Sequence, residues 1–237
     1  MIASLQMYDW PEIRDATDAF WHGLARHMGE AVELARPADH KAPWRDPALL
    51  FSQTCGYPFT HEFAGKLTLL GTPHYAAEGC DGFTYCSFIF ARNSAPQIAV
   101  INDDDSMSGM LALKLACKQA FAQTLVSGGH LASLEALQSG VADICAIDSV
   151  CVSLARHYRP HLLEGLIEVT RSPAVPGLPF VTSLANAAQA PQMRKAIQAA
   201  FADPELAAAR RALLLKDFSL TTLADYSRIT DLEQGLS

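Results

Sequence analysis

Apolar and polar positions along the chain alternate between two periods. Short apolar runs read as strands, and longer stretches with apolar residues three and four apart read as helices. Residues 2–7 form the first run, and residues 12–28 the first helical pattern. Residues 48–51, 66–70, 83–92 and 98–101 are further strand candidates, with 83–92 rich in aromatics. Met110, Leu113, Cys117 and Phe121 then mark the apolar face of a helix. Residues 131–139 predict another helix, stopped by Gly140, and residues 144–147 a buried strand ending at Asp148. Strands follow at 166–170 and 180–182, with Pro173, Pro176 and Pro179 between them, and the tail from residue 185 is Ala-rich and helical. The alternation of strand and helix predicts an α/β fold. No internal repeat and no low-complexity segment is visible.

Two of the helix starts carry candidate chemistry. Asp105-Ser106-Met107-Ser108-Gly109 is a short polar loop that leads into the Met110 pattern. Ser127-Gly128-Gly129-His130 precedes the next helix in the same way. A helix start leaves backbone N–H groups without partners and carries a positive partial charge, which makes it a ready anion site. In open α/β sheets the ligand crevice lies at the carboxyl ends of strands. That rule groups the 103–109 loop, Asp148 and the 52–57 loop as candidates for one cleft. Simpler roles compete at each position: Ser106 and Ser108 as helix caps, Asp148 as the cap of a helix beginning at Ser149, and Tyr8, Tyr57 and Tyr85 as core aromatics. Asp103-Asp104-Asp105 reads as a solvated loop, and the Met110–Phe121 stripe as core.

Composition narrows the classes. The 237 residues allow one large domain or two small lobes, and half of them are hydrophobic. A formal net charge of −7 argues against a general nucleic-acid surface. It leaves room for a local anion site built from N–H groups and hydroxyls. No run reaches the roughly 20 apolar residues of a membrane span. No basic segment followed by a long apolar stretch precedes the first strand, so the chain as it stands reads as cytoplasmic, or as periplasmic if a signal peptide has been removed. Six cysteines, at 55, 80, 86, 117, 145 and 151, include no CxxC pair and lack zinc spacing. Cys117 and Cys145 read as reduced core residues. No metal or other cofactor is expected.

Several segments, in order, resemble a known family. They are Tyr8-Asp9-Trp10-Pro11-Glu12, Ser52-Gln53-Thr54-Cys55-Gly56-Tyr57-Pro58, Tyr85-Cys86-Ser87, residues 102–109, Ser127-Gly128-Gly129-His130, residues 140–148 and Pro176-Gly177-Leu178-Pro179-Phe180. Together they resemble the substrate-binding components of phosphate, phosphite and phosphonate ABC importers. The resemblance covers residues 2–185. It implies a two-lobed type 2 periplasmic binding-protein fold with a two-stranded hinge. One lobe would hold residues 1–88 plus 180–237 and the other residues 89–179, with ligand clamped between them. By the same resemblance Ser106 and Ser108 are the family's hydroxyl pair, and Met107 and Gly109 offer backbone N–H groups. Met107 stands where the family commonly has a hydroxyl residue. His130 and Tyr85 match further ligand positions, and Tyr8, Thr54 and Tyr57 come from the first lobe. Asp148, or less favourably Asp143, matches an acidic position that contacts ligand protons or amines.

The resulting expectation is a non-catalytic solute-binding protein for a small phosphate- or phosphonate-like oxyanion. Such a ligand is costly to desolvate and needs several donors at once. Its partner would be an ABC transporter permease or, in a sensor, a cytosolic signalling protein, with no nucleic acid and no direct membrane insertion. A hydrolase using Ser127, His130 and Asp148 is the enzymatic alternative, although no G-x-S-x-G elbow is present.

Overall fold

The computed structural model describes residues 1–117 and 120–236. The chain divides into two compact units, Met1–Ala76 with Pro176–Ser227, and Ala77–Val175 with Arg228–Ser237.

The first unit is built on a five-stranded sheet. Ile2–Ser4 pairs in parallel with Leu49–Gln53, and Phe180–Ser183 runs antiparallel between Leu49–Gln53 and Leu67–Tyr75. Leu215–Ser219 closes the other edge, antiparallel to Leu67–Tyr75. The helix Arg14–Met28 turns Phe20, Trp21 and Leu24 into the core and packs with Ala190–Ala202 and Ala207–Ala212. Trp21 and Phe51 are fully buried and stack at 5.5 Å between ring centroids. Side chains of this size contribute about 1.5–3 kcal/mol each on burial. The expected strand at 2–7 is therefore shorter, and those at 48–51 and 66–70 extend to Gln53 and Tyr75. The strand Leu215–Ser219 lies inside what reads as a helical tail. Its burial is one-sided only at Leu215, so no alternation advertises it.

The second unit holds another five-stranded sheet, ordered Ile167–Arg171, Ser87–Ala91, Ile144–Asp148, Ile98–Ile101 and Gln123–Val126. The last three strands run parallel to one another. Ser87–Ala91 is antiparallel to Ile144–Asp148 along its whole length, so the single strand expected at 83–92 becomes a short Thr84–Tyr85 segment and this ladder. The expected helix from Met110 begins earlier, at Met107. It opens with a π-helical turn, Met107–Leu111, and continues as Ala112–Ala116. Cys117 and Phe121 fall outside it and are only half-buried, which corrects the reading of the full stripe, and of Cys117, as core. Lys118 and Gln119, which the stripe also spanned, lie outside the described residues. Gln123–Val126 is a largely exposed edge strand without an apolar pattern. The helix His130–Ser139 ends at Gly140, whose left-handed φ of 80° supplies the expected stop.

Candidate functional site

Three neighbouring parallel strands of the second unit each deliver the chain to a helix start. Ile98–Ile101 leads through residues 102–106 to the turn at Met107. Gln123–Val126 leads through residues 127–129 to the helix at His130. Ile144–Asp148 passes directly into the helix Ser149–Tyr158. Three sets of helix-terminal N–H groups therefore gather at one end of one sheet, the arrangement that favours anions.

Ser106 caps the first start. Its Oγ accepts the N–H of Gly109 at 3.0 Å, and its carbonyl accepts the N–H of Leu111 at 2.9 Å. The Gly109 N–H expected to face a ligand is thus held by the cap. Met107 is buried, so its side chain belongs to the core. Ser108 Oγ lies 2.7 Å from His130 Nε2, which ties the first helix start to the second. Part of the His130 residue reaches the surface, but Nδ1 is buried without a hydrogen-bond partner. Burial pushes the imidazole pKa down to about 4, the backbone of Ala146 opposing it. The ring is neutral at pH 7, and any attraction for an anion comes from N–H groups and hydroxyls rather than from an imidazolium.

Asp148 is almost fully buried and caps the third start, its Oδ1 accepting from Val150 N at 2.7 Å and Cys151 N at 3.4 Å. Burial, reinforced by the Asp148 charge, pushes the Cys80 thiol up to about 12. Asp143 lies at the opposite end of its strand. It accepts the N–H groups of Gln97 and Ile98 at 2.9 Å each, and these bonds hold its carboxyl below the usual range. That places it away from the helix starts. Tyr85 is buried in a two-residue ladder opposite Cys80.

The hydrolase triad is not assembled. Ser127 Oγ bonds to Ile101 O at 3.2 Å, Gly129 O at 3.0 Å and Ser133 Oγ at 2.7 Å, which fixes the loop ahead of His130. The hydroxyl at His130 is that of Ser108, and Asp148 is engaged in its cap. Among the described residues no group of three His, Cys, Asp or Glu side chains is placed to hold a metal ion.

In the first unit, the candidates sit at the carboxyl ends of the parallel strand pair. Tyr8 meets Tyr75 edge-on at 5.2 Å, and Tyr57 stacks on His61 at 3.8 Å. Thr54 is fully buried, its N–H donating to Pro179 O at 3.1 Å and its hydroxyl to Cys55 O at 3.3 Å. Gln53, not singled out by the sequence, is buried beside them. Its Nε2 donates to Tyr75 Oη at 2.9 Å and Leu178 O at 3.1 Å. A cavity of about 30 Å³, on the scale of one water, lies among Leu5, Tyr8, Gln53, Tyr75 and Phe180. Only the position of Gln53 at the end of an apolar run hinted at its burial there.

The sequence profile of a family described as the periplasmic substrate-binding protein of phosphonate ABC transporters matches residues 100–229. That span includes every helix start described above. No curated protein sequence matches the chain. Among solved structures, PhnD1 from Prochlorococcus marinus in complex with methylphosphonate superposes with a TM-score of 0.78 at 13% identity, covering 99% of this chain and 97% of its own. A binding protein component of an ABC phosphonate transporter from Pseudomonas aeruginosa gives 0.77 at 15% identity, covering 100% and 86%. XAC2383 from Xanthomonas citri bound to chloride gives 0.75 at 15% identity, covering 100% and 96%. These likenesses establish the type 2 periplasmic binding-protein fold. With the profile match over more than half its length, the chain belongs to the family of periplasmic substrate-binding proteins of phosphonate ABC transporters.

Proposed function

We propose that this protein binds a small phosphonate- or phosphate-like oxyanion at the helix starts of its second unit and presents it, in the periplasm, to an ABC transporter permease. It does so without chemistry of its own. The observation that carries the reading is the Ser108–His130 pair joining two adjacent helix starts, with a neutral imidazole between them. Ser106, Ser108 and nearby N–H groups supply the donors, and Met107, Gly109, His130 and Tyr85 shape the cradle. Asp148, beside the third start, disfavours a bare dianion and favours a ligand bearing a proton or an amine. In the first unit, Tyr8, Thr54 and Tyr57 are the residues we propose for ligand contact. The family's periplasmic role supports the periplasmic setting. No described helix is long and apolar enough to cross a membrane.

A thermal-shift panel of phosphate, phosphite, methylphosphonate, aminoethylphosphonate, sulfate and simple carboxylates tests this. Ligand at 100 times its Kd adds roughly 2.7 kcal/mol, about 5–10 °C for a chain of this size. A shift with a phosphorus oxyanion and none with carboxylates is expected. Ser108→Ala should then weaken binding by about tenfold or more, since bonds to charged groups contribute about 1.5–3 kcal/mol. No shift with any phosphorus oxyanion overturns the proposal.

A further inference from the structure

Asn102 is the last residue before the loop to the first helix start, and it touches both loops of the cradle. Its carbonyl accepts the N–H of Gly128 at 3.0 Å, and the preceding carbonyl, of Ile101, accepts Ser127 N at 2.9 Å. These bonds hang the loop that carries His130 on the end of the strand Ile98–Ile101. Its side chain faces the other way, into the turn at Met107–Leu111. A Cβ placed on Gly109 would lie 1.8 Å from Asn102 Oδ1, 2.9 Å from Cγ and 3.2 Å from the backbone N.

The glycine at 109 is thus explained by space and not by backbone freedom. Gly109 is absent from the glycines with positive φ, so its conformation would suit any residue. The atoms nearest an added side chain there all belong to Asn102, its carboxamide foremost. That carboxamide is also costly. Oδ1 is buried with no hydrogen-bond partner, an arrangement that costs stability. A buried unpaired acceptor calls for an explanation in its surroundings. Here the surroundings are the two loops whose side chains meet again at Ser108 and His130.

We propose that Asn102 is a positioning residue of the oxyanion cradle. Its carboxamide acts as a wedge against Gly109, and its carbonyl as the anchor of the 127–129 loop. Together they fix the height of the Ser106–Gly109 turn against His130. The inference rests on the oxyanion reading above only for its functional meaning. The wedge itself is a property of the second unit alone. It also assigns residue 109 a role in shape, as the one position on the turn where an added methyl would push the whole turn away from its partner loop.

The test is a double-substitution cycle with Gly109→Ala, Asn102→Gly and the two combined. Affinity for methylphosphonate and inorganic phosphate is measured by titration calorimetry, stability by ligand-free thermal unfolding, and the state of His130 by its ring nitrogen NMR signals. Gly109→Ala is expected to weaken binding by about tenfold or more and to shift the His130 signals, while the combined variant returns to within about threefold of Asn102→Gly alone, because residues in contact do not add. The His130 signals should return with it, which a purely structural contact elsewhere would not produce. Losses that simply multiply, with His130 signals unchanged throughout, overturn the proposal. If the wild-type chain binds neither probe, the oxyanion reading fails. The unfolding cycle and the His130 signals still decide whether Asn102 sets the two loops.

Discussion

Replacing His130 by Gln should remove much of the acid sensitivity of the second unit. In the unfolded chain a histidine takes up its proton near pH 6.5, whereas burial lowers the folded value to about 4. The unfolded state therefore binds more protons between these values. The neutral imidazole's contribution is intact above pH 6.5 and is lost as pH falls toward 4. Fully expressed, the difference corresponds to about 3 kcal/mol. About 1 kcal/mol is gone by pH 5.5 and about 2 kcal/mol by pH 4.5. Gln keeps a polar group opposite Ser108 but does not titrate. Urea unfolding of both proteins at pH 7, 5.5 and 4.5 isolates the histidine, because carboxylates common to both cancel in the comparison. The wild-type chain should lose about 2 kcal/mol more than His130→Gln between pH 7 and 4.5. Parallel declines would show that the imidazole is hydrated in the folded protein, and the neutral Ser108–His130 pair would have to be abandoned.

Three other outcomes follow from the same geometry. Asp148→Ala, which removes the cap on Val150 and Cys151, should cost about 1–2 kcal/mol in urea unfolding. Asp148→Asn, which can still cap, should cost clearly less, and a change in its ligand preference by calorimetry would support a ligand role beyond the cap. Tyr226→Phe removes the hydroxyl that contacts Thr72 Oγ1 at 2.6 Å and donates to Gly177 O at 2.9 Å in the first unit. The loss should be about 1–3 kcal/mol by thermal unfolding, and an unchanged Tm would mean that water replaces both bonds. Ser106→Ala should lower stability through the lost Gly109 cap, and Ser108→Ala through the lost partner of His130 Nε2, with both lowering affinity. An unchanged Tm for Ser108→Ala would mean that His130 Nε2 finds another partner.

The sequence by itself determined the α/β class, most strand cores and the polar loops that lead into the helices. These depend on local periodicity and on polar loops ahead of apolar runs, which are written in neighbouring residues. Gly140 stops its helix through its own backbone, so that boundary was legible too. The strands Gln123–Val126 and Leu215–Ser219 were not, because one is an exposed edge and the other is selected by its ladder with Leu67–Tyr75. The early start at Met107 was hidden for a similar reason. A π-helical turn breaks the 3.6-residue period that would announce it. Only the tertiary structure decided which hydroxyl meets His130. Ser127 is three residues away in sequence, yet it is drawn to Ile101 and Ser133, while Ser108, 22 residues away, supplies the contact. It likewise decided that Asp148 caps a helix, that Asp143 lies at the far end of its strand, and that Gly109 is glycine because of Asn102. Hydrogen-bond pairing and steric exclusion are set by which segments the sheet brings side by side. Local pattern names the donors and acceptors, but the packing of parallel strands chooses the partners.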